Sequence, residues 1–316
     1  MLIAQYWGKE DRRMVKNLFC MILKWSFGIS LLFWALAMFV PQHLMRIYTP
    51  DQALIEIGAS YLRAVSFSYL FSGITQCYYL VMKLEGKAQK SVIISVVTLV
   101  TDVALDYLLI YGAAGAPKLG ANGSAYSTVV VELVALVWCI AESHRGESIR
   151  PDWQGFKWFS AAVTKDWFRI SLPMLGSSLA WGIGFSMHSL IMGHLGSDAT
   201  AAASITSVAQ ELITCVCKGF SSGAGIMVGK LLGQNLFDQA KQYGKKFCHL
   251  SFWVGGIHVG IFCILGPIVV NFFLLSDTAK GYLVMCADEI VKLPWLYPRY
   301  RKYLWLKNLT REEKDS

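Results

Sequence analysis

Two aspartates interrupt the apolar segment from Ser91 to Gly112, in the stretch TDVALDYLL. Asp102 and Asp106 are four residues apart, so on a helix they share one face with about 5–6 Å between them. Two carboxylates this close in a medium of low dielectric constant do not both ionise cheaply, so one keeps a proton or a cation lies between them. The pair therefore predicts a site for a proton or a sodium ion. In the alternative interpretation, Asp106 lies near the membrane interface and is simply hydrated.

A second pair of charged residues, Glu211 and Lys218, lies seven positions apart in a later apolar block. They share one helix face two turns apart, so they line a cavity, pair with other groups, or serve packing alone. The eight cysteines and six histidines show no metal-ligand spacing, and no nucleophile is paired with a base. We therefore predict no metal site beyond sodium at the two aspartates, and no enzyme.

The whole chain has the composition of a membrane protein. Of its 316 residues, 55% are hydrophobic and only 16% are charged, and the mean hydropathy is +0.45. The apolar residues form blocks long enough for a helical span, which needs roughly 20 residues, and they lack the alternation of barrel strands. The predicted fold is all-α, a polytopic membrane protein with about seven transmembrane helices. The blocks are residues 18–40, 54–82, 89–111, 121–141, 168–192, 201–229 and 248–274.

Lysine and arginine are distributed unevenly among the loops between these blocks. With the N-terminus placed in the cytoplasm, the inner segments hold 16 of these residues and the outer loops only Arg46, Lys118 and Lys280. This asymmetry follows the positive-inside rule and predicts cytoplasmic loops around Lys87 and Lys157. Topology thus explains the net charge of +8, and no nucleic-acid partner is expected.

The C-terminal tail conflicts with a topology of seven spans. Residues 282–316 carry seven lysines and arginines, which predicts a cytoplasmic tail, whereas seven spans that start inside end outside. The intervening segment AKGYLVMCADEI is too short and too polar to cross. We expect that an odd number of spans of a complete parent is missing between about Gly281 and Val284. A half-inserted last segment with an exposed basic tail is the alternative.

The first and last apolar blocks suggest an internal repeat. Gly8 of YWGKED aligns with Gly233 of LLGQNL, and each segment leads through an apolar span to a proline and an Asp-Xaa-Ala turn. The two copies lie six spans apart, so they point the same way across the membrane and predict a parallel repeat.

Four motifs occur in order along the chain: AQYWGKED, LDYLLIYGAAGAPKLGANGSAYST, SLPMLGSSLAWG and GHLGSDATAAASI. In this order and spacing they resemble the multidrug and toxic compound extrusion (MATE) family of transporters. In that family the first motif closes the second helix, the next joins the fifth helix to the sixth, and the last two belong to the seventh and eighth. The resemblance covers nearly all of residues 4–280.

The resemblance implies a parent of twelve helices in two six-helix lobes, in which the seven spans here are the third to the ninth. It implies a partial N-lobe of four spans at 1–142, a cytoplasmic inter-lobe linker at 143–167, and a partial C-lobe of three spans at 168–281. Residues 282–316 resemble the cytoplasmic tail. The first helix, most of the second and three spans before the tail would then be missing, and three is an odd number, as the charge count requires.

The resemblance also implies a cation site. In a prokaryotic branch of the family, an Asn and an Asp hold the positions of Asp102 and Asp106, so Asp106 is the expected main carboxylate. The Asp at both positions adds a charge and leaves the choice between Na⁺ and H⁺ open. The family site also uses a Thr on the sixth helix, matched by Thr128, and a Tyr on the fourth, matched by Tyr61. A further Asp on the family's first helix has no counterpart in this chain.

The function implied is a cation-coupled antiporter, in truncated form, that exports organic cations or drugs by alternating access in exchange for Na⁺ or H⁺. It needs no cofactor, and its place is the plasma membrane as a multi-pass protein with N-terminus and tail in the cytoplasm. Expected partners are small organic cations, membrane lipid, and another chain that supplies the missing helices. The alternatives are a lipid-linked oligosaccharide flippase of the same superfamily, a non-functional remnant, and a membrane-embedded enzyme. The excess of acid over base on the motif-bearing helix favours cation export over the flippase.

Overall fold

A computed structural model describes residues 2–145, 148–157, 160–195, 197–272 and 309–310 of the chain. Every regular element in these ranges is helical, which confirms the all-α fold. Most of the predicted tail at 282–316 lies outside the described residues. The helices are α1 (Leu2–Gly8), α2 (Arg12–Phe39), α3 (Pro41–Tyr48), α4 (Gln52–Leu84), α5 (Ala88–Tyr111), α6 (Ala121–Ser143), α7 (Trp153–Lys157), α8 (Ala161–Leu195), α9 (Ser197–Gly233) and α10 (Phe237–Phe272).

Seven long helices match the seven predicted blocks, with differences at their ends. Helix α2 begins before residue 18 because the Asp11 carboxylate caps it, accepting a hydrogen bond from the backbone N–H of Met14 at 2.9 Å. Helix α10 begins well before residue 248, since the polar segment DQAKQYGKK continues the helix. Pro173 lies inside α8 and not at a helix start, so α8 lacks the backbone hydrogen bond that an amide N–H would make there.

Four of the described helices are long and apolar enough to cross a membrane by length and composition. They cover residues 12–39, 88–111, 121–143 and 161–192. Large apolar side chains lie on their outer faces, such as Leu32 (59% exposed), Val100 (63%) and Ile183 (62%). Apolar faces of this extent are unfavourable in water and are expected of helices that contact lipid or other membrane helices.

The chain divides into two compact units, one of residues 11–164 and one of residues 1–10 with 165–316. The first unit contains α2 to α7, and the second contains α1, α9, α10 and nearly all of α8. The short α1 thus belongs with the later helices. The predicted lobe boundaries, 1–142 and 168–281, stay a prediction.

In the unit of residues 11–164, helix α4 packs against both α2 and α6, and α5 packs against α6. One buried cluster joins α2, α4, α5 and α6, with Phe19 and Tyr78 in edge-to-face contact at 5.3 Å. The Ser26 hydroxyl donates to the Gly73 carbonyl at 2.8 Å, which ties α2 to α4 inside the bundle. The core of this unit therefore lies around α4.

The start of the segment that joins the two units is bonded to the four-helix bundle. The Glu85 side chain is only 4% exposed and accepts a hydrogen bond from the backbone N–H of Ile149 at 2.7 Å. It also forms an ion pair with Lys87 at 2.7 Å. Arg150 donates from Nε to the Ser143 carbonyl at 3.0 Å. These bonds fix residues 148–150 against the ends of α4 and α6.

Asp152 holds the next part of this segment in place. Its carboxylate accepts a hydrogen bond from the backbone N–H of Gly155 at 2.7 Å, where α7 starts, and pairs with Lys16 of α2 at 2.5 Å. The Lys16 hydrogen bond and the Gly155 N–H both favour the charged form, so the pKa of Asp152 lies below its usual value. Short helix α7 thereby packs on α2.

In the unit of residues 1–10 and 165–316, α1 crosses the end of α9 at two glycines. A Cβ added to Gly8 would overlap the backbone carbonyl of Lys230, and one added to Gly233 would overlap the carbonyl of Gln5. Gln5 is fully buried, and its Oε1 accepts a hydrogen bond from the backbone N–H of Leu309 at 2.6 Å. Without a side chain at either glycine, the two backbones approach more closely than any other residue allows.

The chain repeats its backbone geometry just after these two glycines. Glu10 follows Gly8 with φ of 64°, and Asn235 follows Gly233 with φ of 59°. In both places the N–H of this left-handed residue donates to the carbonyl three positions earlier, at 3.1 and 3.2 Å. The short turns after Gly8 and Gly233 therefore share one backbone geometry, and the longer parallel repeat of the two apolar blocks stays a prediction.

Candidate functional site

The two aspartates lie on a helical hairpin formed by α5 and α6. Helix α5 ends at Gly112, whose φ of 72° is the left-handed conformation that favours glycine, and Gly120 with φ of 57° precedes α6. Between them, the backbone N–H of Leu119 donates to the carbonyl of Leu109 at 2.9 Å. The chain therefore reverses direction tightly, and residues near the end of α5 lie beside residues near the start of α6.

Small residues bring the two helices of the hairpin together. A Cβ added to Gly123 would lie 2.7 Å from the Leu109 backbone, so α6 approaches α5 as closely as a glycine permits. Buried residues then recur every fourth position along α6, at Gly123, Ser127, Val131 and Ala135. This stripe faces the interior of the bundle, and Ser127 is the polar member nearest to the aspartates.

Ser127 lies between the two carboxyl groups. Its Oγ is 3.2 Å from Asp102 Oδ1 and within hydrogen-bonding distance of Asp106 Oδ1, and it also lies 3.0 Å from the Ser124 carbonyl oxygen. Ser127 is fully buried, and both aspartates are half-buried. The two carboxyl groups that the sequence places on one helix face therefore share one polar neighbour from the next helix.

The number of hydrogens at this cluster limits its charge. A serine hydroxyl carries one hydrogen, so Ser127 donates to only one of the surrounding oxygens. A deprotonated carboxylate cannot donate, so a second hydrogen bond between Ser127 and a carboxyl group needs a proton on that group. Ser127, Asp102 and Asp106 are therefore linked by hydrogen bonds only when the pair carries a proton. A bound cation that attracts the same oxygens would serve in its place.

A third carboxyl group, Glu132, adds to the negative charge of the hairpin. It is half-buried on α6 and lies close enough to Asp102 for electrostatic repulsion. Among the described residues, no group of three or more His, Cys, Asp or Glu side chains is arranged to hold a metal ion. The site consists of carboxyl and hydroxyl oxygens, hard ligands that suit a proton or a sodium ion.

The other two residues predicted for the cation site, Thr128 and Tyr61, make no hydrogen bond to the aspartates. The Thr128 hydroxyl is half-buried and donates to the Ser124 carbonyl of its own helix at 3.0 Å. Tyr61 is half-buried on α4, and within the described ranges its hydroxyl makes no hydrogen bond. The structure thus brings Asp102 and Asp106 to Ser127, one position before the threonine that the family resemblance selects.

The sequence contains a signal that selects Ser127. Residues 123, 127, 131, 135 and 139 are all small or β-branched, and this four-residue spacing marks one face of α6. Ser127 is the polar residue of that face at the level of the aspartates, and Thr128 lies about 100° further around the helix. The small-residue stripe, read with the hairpin turn, therefore indicates the serine.

Glu211 and Lys218, the residues predicted to line a cavity or to pair, pair with each other. The Lys218 Nζ lies 2.8 Å from Glu211 Oε2 and 3.1 Å from Oε1. Both side chains are 56% exposed on α9. An ion pair this exposed contributes little to stability in water, but in contact with lipid it lowers the cost of both charges.

Comparison with known proteins identifies the family. A profile of the MatE family matches residues 1–108 and 173–287. The probable multidrug resistance protein YoeA of Bacillus subtilis (strain 168) is 21% identical over 288 residues, which cover 87% of this chain and 60% of YoeA. The multidrug resistance protein MdtK of Yersinia enterocolitica is 25% identical over 254 residues, 76% of this chain and 53% of MdtK. The chain therefore spans between half and two thirds of the length of these relatives.

Solved structures show the same fold. The outward-facing conformation of a multidrug resistance MATE transporter of the MOP superfamily superposes with a TM-score of 0.76 at 16% identity, over 92% of this chain and 65% of that one. A MATE structure in complex with MaD5 gives a TM-score of 0.72 at 17% identity, over 89% of this chain and 64% of that one. The helical arrangement is that of these multi-pass membrane proteins. Together, these matches and the hairpin motif establish that the chain belongs to the MatE family, the multidrug and toxic compound extrusion transporters.

Proposed function

We propose that this chain forms part of a cation-coupled antiporter that exports organic cations or drugs. The observation that carries the proposal is the Ser127 hydroxyl placed between Asp102 and Asp106 within an apolar helical hairpin. This cluster accepts one positive charge and releases it when its surroundings change, which is the property that couples an ion to alternating access. The names of its relatives, YoeA and MdtK among them, support drugs as the exported substrate.

Asp106 is the main carboxylate in this proposal, and Asp102 adjusts its affinity. Sodium and proton are the two candidate coupling ions, and both fit a site of carboxyl and hydroxyl oxygens. With a proton, Ser127 is hydrogen-bonded to both carboxyl groups; with sodium, the ion lies among the same oxygens and the proton leaves. Addition of sodium therefore displaces a proton from the site if sodium is the coupling ion, and has no effect on it if the proton is.

The assignment is tested on the purified 316-residue chain in detergent micelles. Infrared difference spectra between acidic and neutral conditions, with and without sodium, count the carboxyl groups that hold a proton. We expect Asp106→Asn to remove a carboxyl band from the difference spectrum of the parent. Asp238 is an exposed acid of α10, and Asp238→Asn should leave that band intact. A spectrum of Asp106→Asn that matches the parent would show that the site is placed wrongly.

Transport requires more of the protein than these helices. The chain spans 60% of YoeA, so the segments that complete a cavity come from residues beyond those described or from another polypeptide. In a complete transporter that contains these helices, Asp106→Asn is expected to stop ion-driven dye efflux while the protein remains in the membrane. Asp102→Asn should keep activity with a shifted pH dependence, because the family accepts an amide at that position.

Membrane orientation and location are part of the proposal. From the excess of lysine and arginine on one side, we assign Lys87, Lys157 and Lys241 to the cytoplasmic side of the plasma membrane and the loop at Lys118 to the outside. Single cysteines at these positions, in a background without native cysteines, are labelled from outside intact cells. Only the cysteine at position 118 should react, and equal labelling at position 87 would contradict the orientation.

A further inference from the structure

A groove distinct from the aspartate site opens at the α3 end of the unit of residues 11–164. It lies between α3, α4 and α6 and has a volume of about 440 Å³. The groove is large enough for a small ligand or a lipid headgroup, since ligand sites usually measure about 300–1,000 Å³. Its lining combines opposite charges with aromatic rings, in the side chains of Gln42, Glu56, Arg63, Phe67 and Tyr126.

Contacts between the three helices build this groove. The Met45 side chain of α3 packs where a Cβ on Gly58 would lie, so α3 rests directly on α4. On the other side, the Asn122 side chain of α6 donates to the Ser60 hydroxyl of α4 at 2.9 Å, while its own Oδ1 is buried without a partner among the described residues. The groove is thus a feature of the packed bundle and not of a loose loop.

The two charged residues of the groove have no partner within the described part of the chain. Glu56 and Arg63 are seven positions apart on α4, so they face the same way about 10 Å apart along the helix axis. Neither side chain makes a hydrogen bond or an ion pair with any described residue. Arg63 lies eleven residues into α4, roughly 16 Å from its start. Helix α4 has 33 residues and is about 50 Å long, which exceeds the roughly 30 Å of a bilayer core, so its first turns extend into the headgroup region where lipid phosphates lie.

The order of side chains along α4 matches the order of groups in a zwitterionic phospholipid. From the helix start inward come the Glu56 carboxylate, the Arg63 guanidinium and the Phe67 ring. In such a lipid the order from the surface inward is ammonium, phosphate and acyl chain. An arginine binds phosphate through two parallel hydrogen bonds, and a long arginine side chain on a membrane helix generally extends toward the headgroup region, which here is the Glu56 end of α4.

We propose that this groove binds a phospholipid with a phosphoethanolamine headgroup. The phosphate contacts Arg63, the primary ammonium donates to Glu56, and the first part of an acyl chain lies along Phe67. Phosphoethanolamine is favoured over phosphoglycerol because only the former presents a cation to the otherwise unpaired carboxylate. The lipid belongs to the leaflet at the α3 end of the helices.

The test uses the purified full chain in micelles with equal amounts of phosphatidylethanolamine and phosphatidylglycerol of the same acyl chains. Native mass spectrometry measures which lipid stays bound. We expect preferential retention of phosphatidylethanolamine, a loss of both lipids of about ten-fold in Arg63→Gln, and equal retention of the two in Glu56→Gln. Arg46→Gln, an exposed arginine of α3 outside the groove, is the matched control and should retain the parental preference.

Three outcomes would overturn the proposal. The first is equal retention of the two lipids by the parent chain, and the second is unchanged retention by Arg63→Gln. The third is no retained lipid at all, which would mean that protein covers the groove. Thermal unfolding of each variant checks that it folds. If Arg63→Gln does not fold, the test is made on the parent chain by adding a soluble headgroup to displace the bound lipid. Displacement by glycerophosphoethanolamine but not by glycerophosphoglycerol supports the proposal. Equal displacement by the two compounds refutes it.

Discussion

Replacing Gly233 with alanine tests the crossing of α1 and α9. The added Cβ would lie far inside van der Waals distance of the Gln5 carbonyl, a backbone group that cannot rotate away. The helices must therefore separate, which loosens the packing around fully buried Gln5 and Leu232. Overpacking of this kind costs about 1–3 kcal/mol. Gly233 is the last residue of α9, so the better helix propensity of alanine offsets little of that cost.

A loss of this size is measurable as thermal unfolding in micelles, followed by intrinsic fluorescence. It corresponds to a fall in Tm of roughly 1.5–5 °C for a chain of 316 residues. Gly225→Ala is the matched control, because Gly225 lies on the same helix and an added Cβ there meets nothing within 4 Å. Its Tm should equal or slightly exceed that of the parent.

The reciprocal glycine gives a stricter test of the same contact. Gly8→Ala should lower the Tm by a similar amount, because its Cβ overlaps the Lys230 carbonyl at the same crossing. One separation of the helices relieves both overlaps, so the double variant should lose less than the sum of the single losses. Equal unfolding temperatures for Gly233→Ala and Gly225→Ala would refute the close approach, and fully additive losses would refute the shared crossing.

Three further predictions concern other described contacts. Ser127→Ala should weaken the cation affinity of the carboxyl pair by roughly ten-fold or more, since a hydrogen bond to a charged group contributes about 1.5–3 kcal/mol. Thr128→Val, the control, should leave this affinity unchanged. Titration of the carboxyl infrared signal with sodium or with pH measures the affinity of each variant. Glu85→Ala should speed hydrogen exchange at the linker amide bonded to it by roughly ten-fold, and unchanged exchange would contradict that contact. Asp152, whose pKa is lowered, stabilises the linker above its unfolded pKa of about 3.9 and loses this effect as pH falls through its folded pKa. Proteolysis of the linker should therefore rise below about pH 4, and at higher pH in Lys16→Gln, as gel analysis would show.

Local patterns along the chain were sufficient to predict the class of fold and the paired carboxylates. Helix existence follows from the length of each apolar block, and the shared face of Asp102 and Asp106 follows from a spacing of four residues. The existence of a helix and the shared face of two residues on it both depend only on residues within a few turns along the chain. The equivalence of Gly8 and Gly233 was visible for a similar reason, because the same short turn follows each glycine.

Contacts between helices depend on packing that no single segment encodes. In the tertiary structure, Ser127 and not Thr128 is hydrogen-bonded to the aspartates, because a one-residue step turns a side chain by about 100° around α6. The close approach of α5 at Gly123 brings the aspartates to the Ser127 face, and the role of Thr128 in cation binding stays a prediction. It also places α1 with the later helices, because the backbones of α1 and α9 cross closely at Gly8 and Gly233. The chain's sequence alone thus determines which groups each helix carries, and the packing of α5, α6, α1 and α9 determines which of those groups meet.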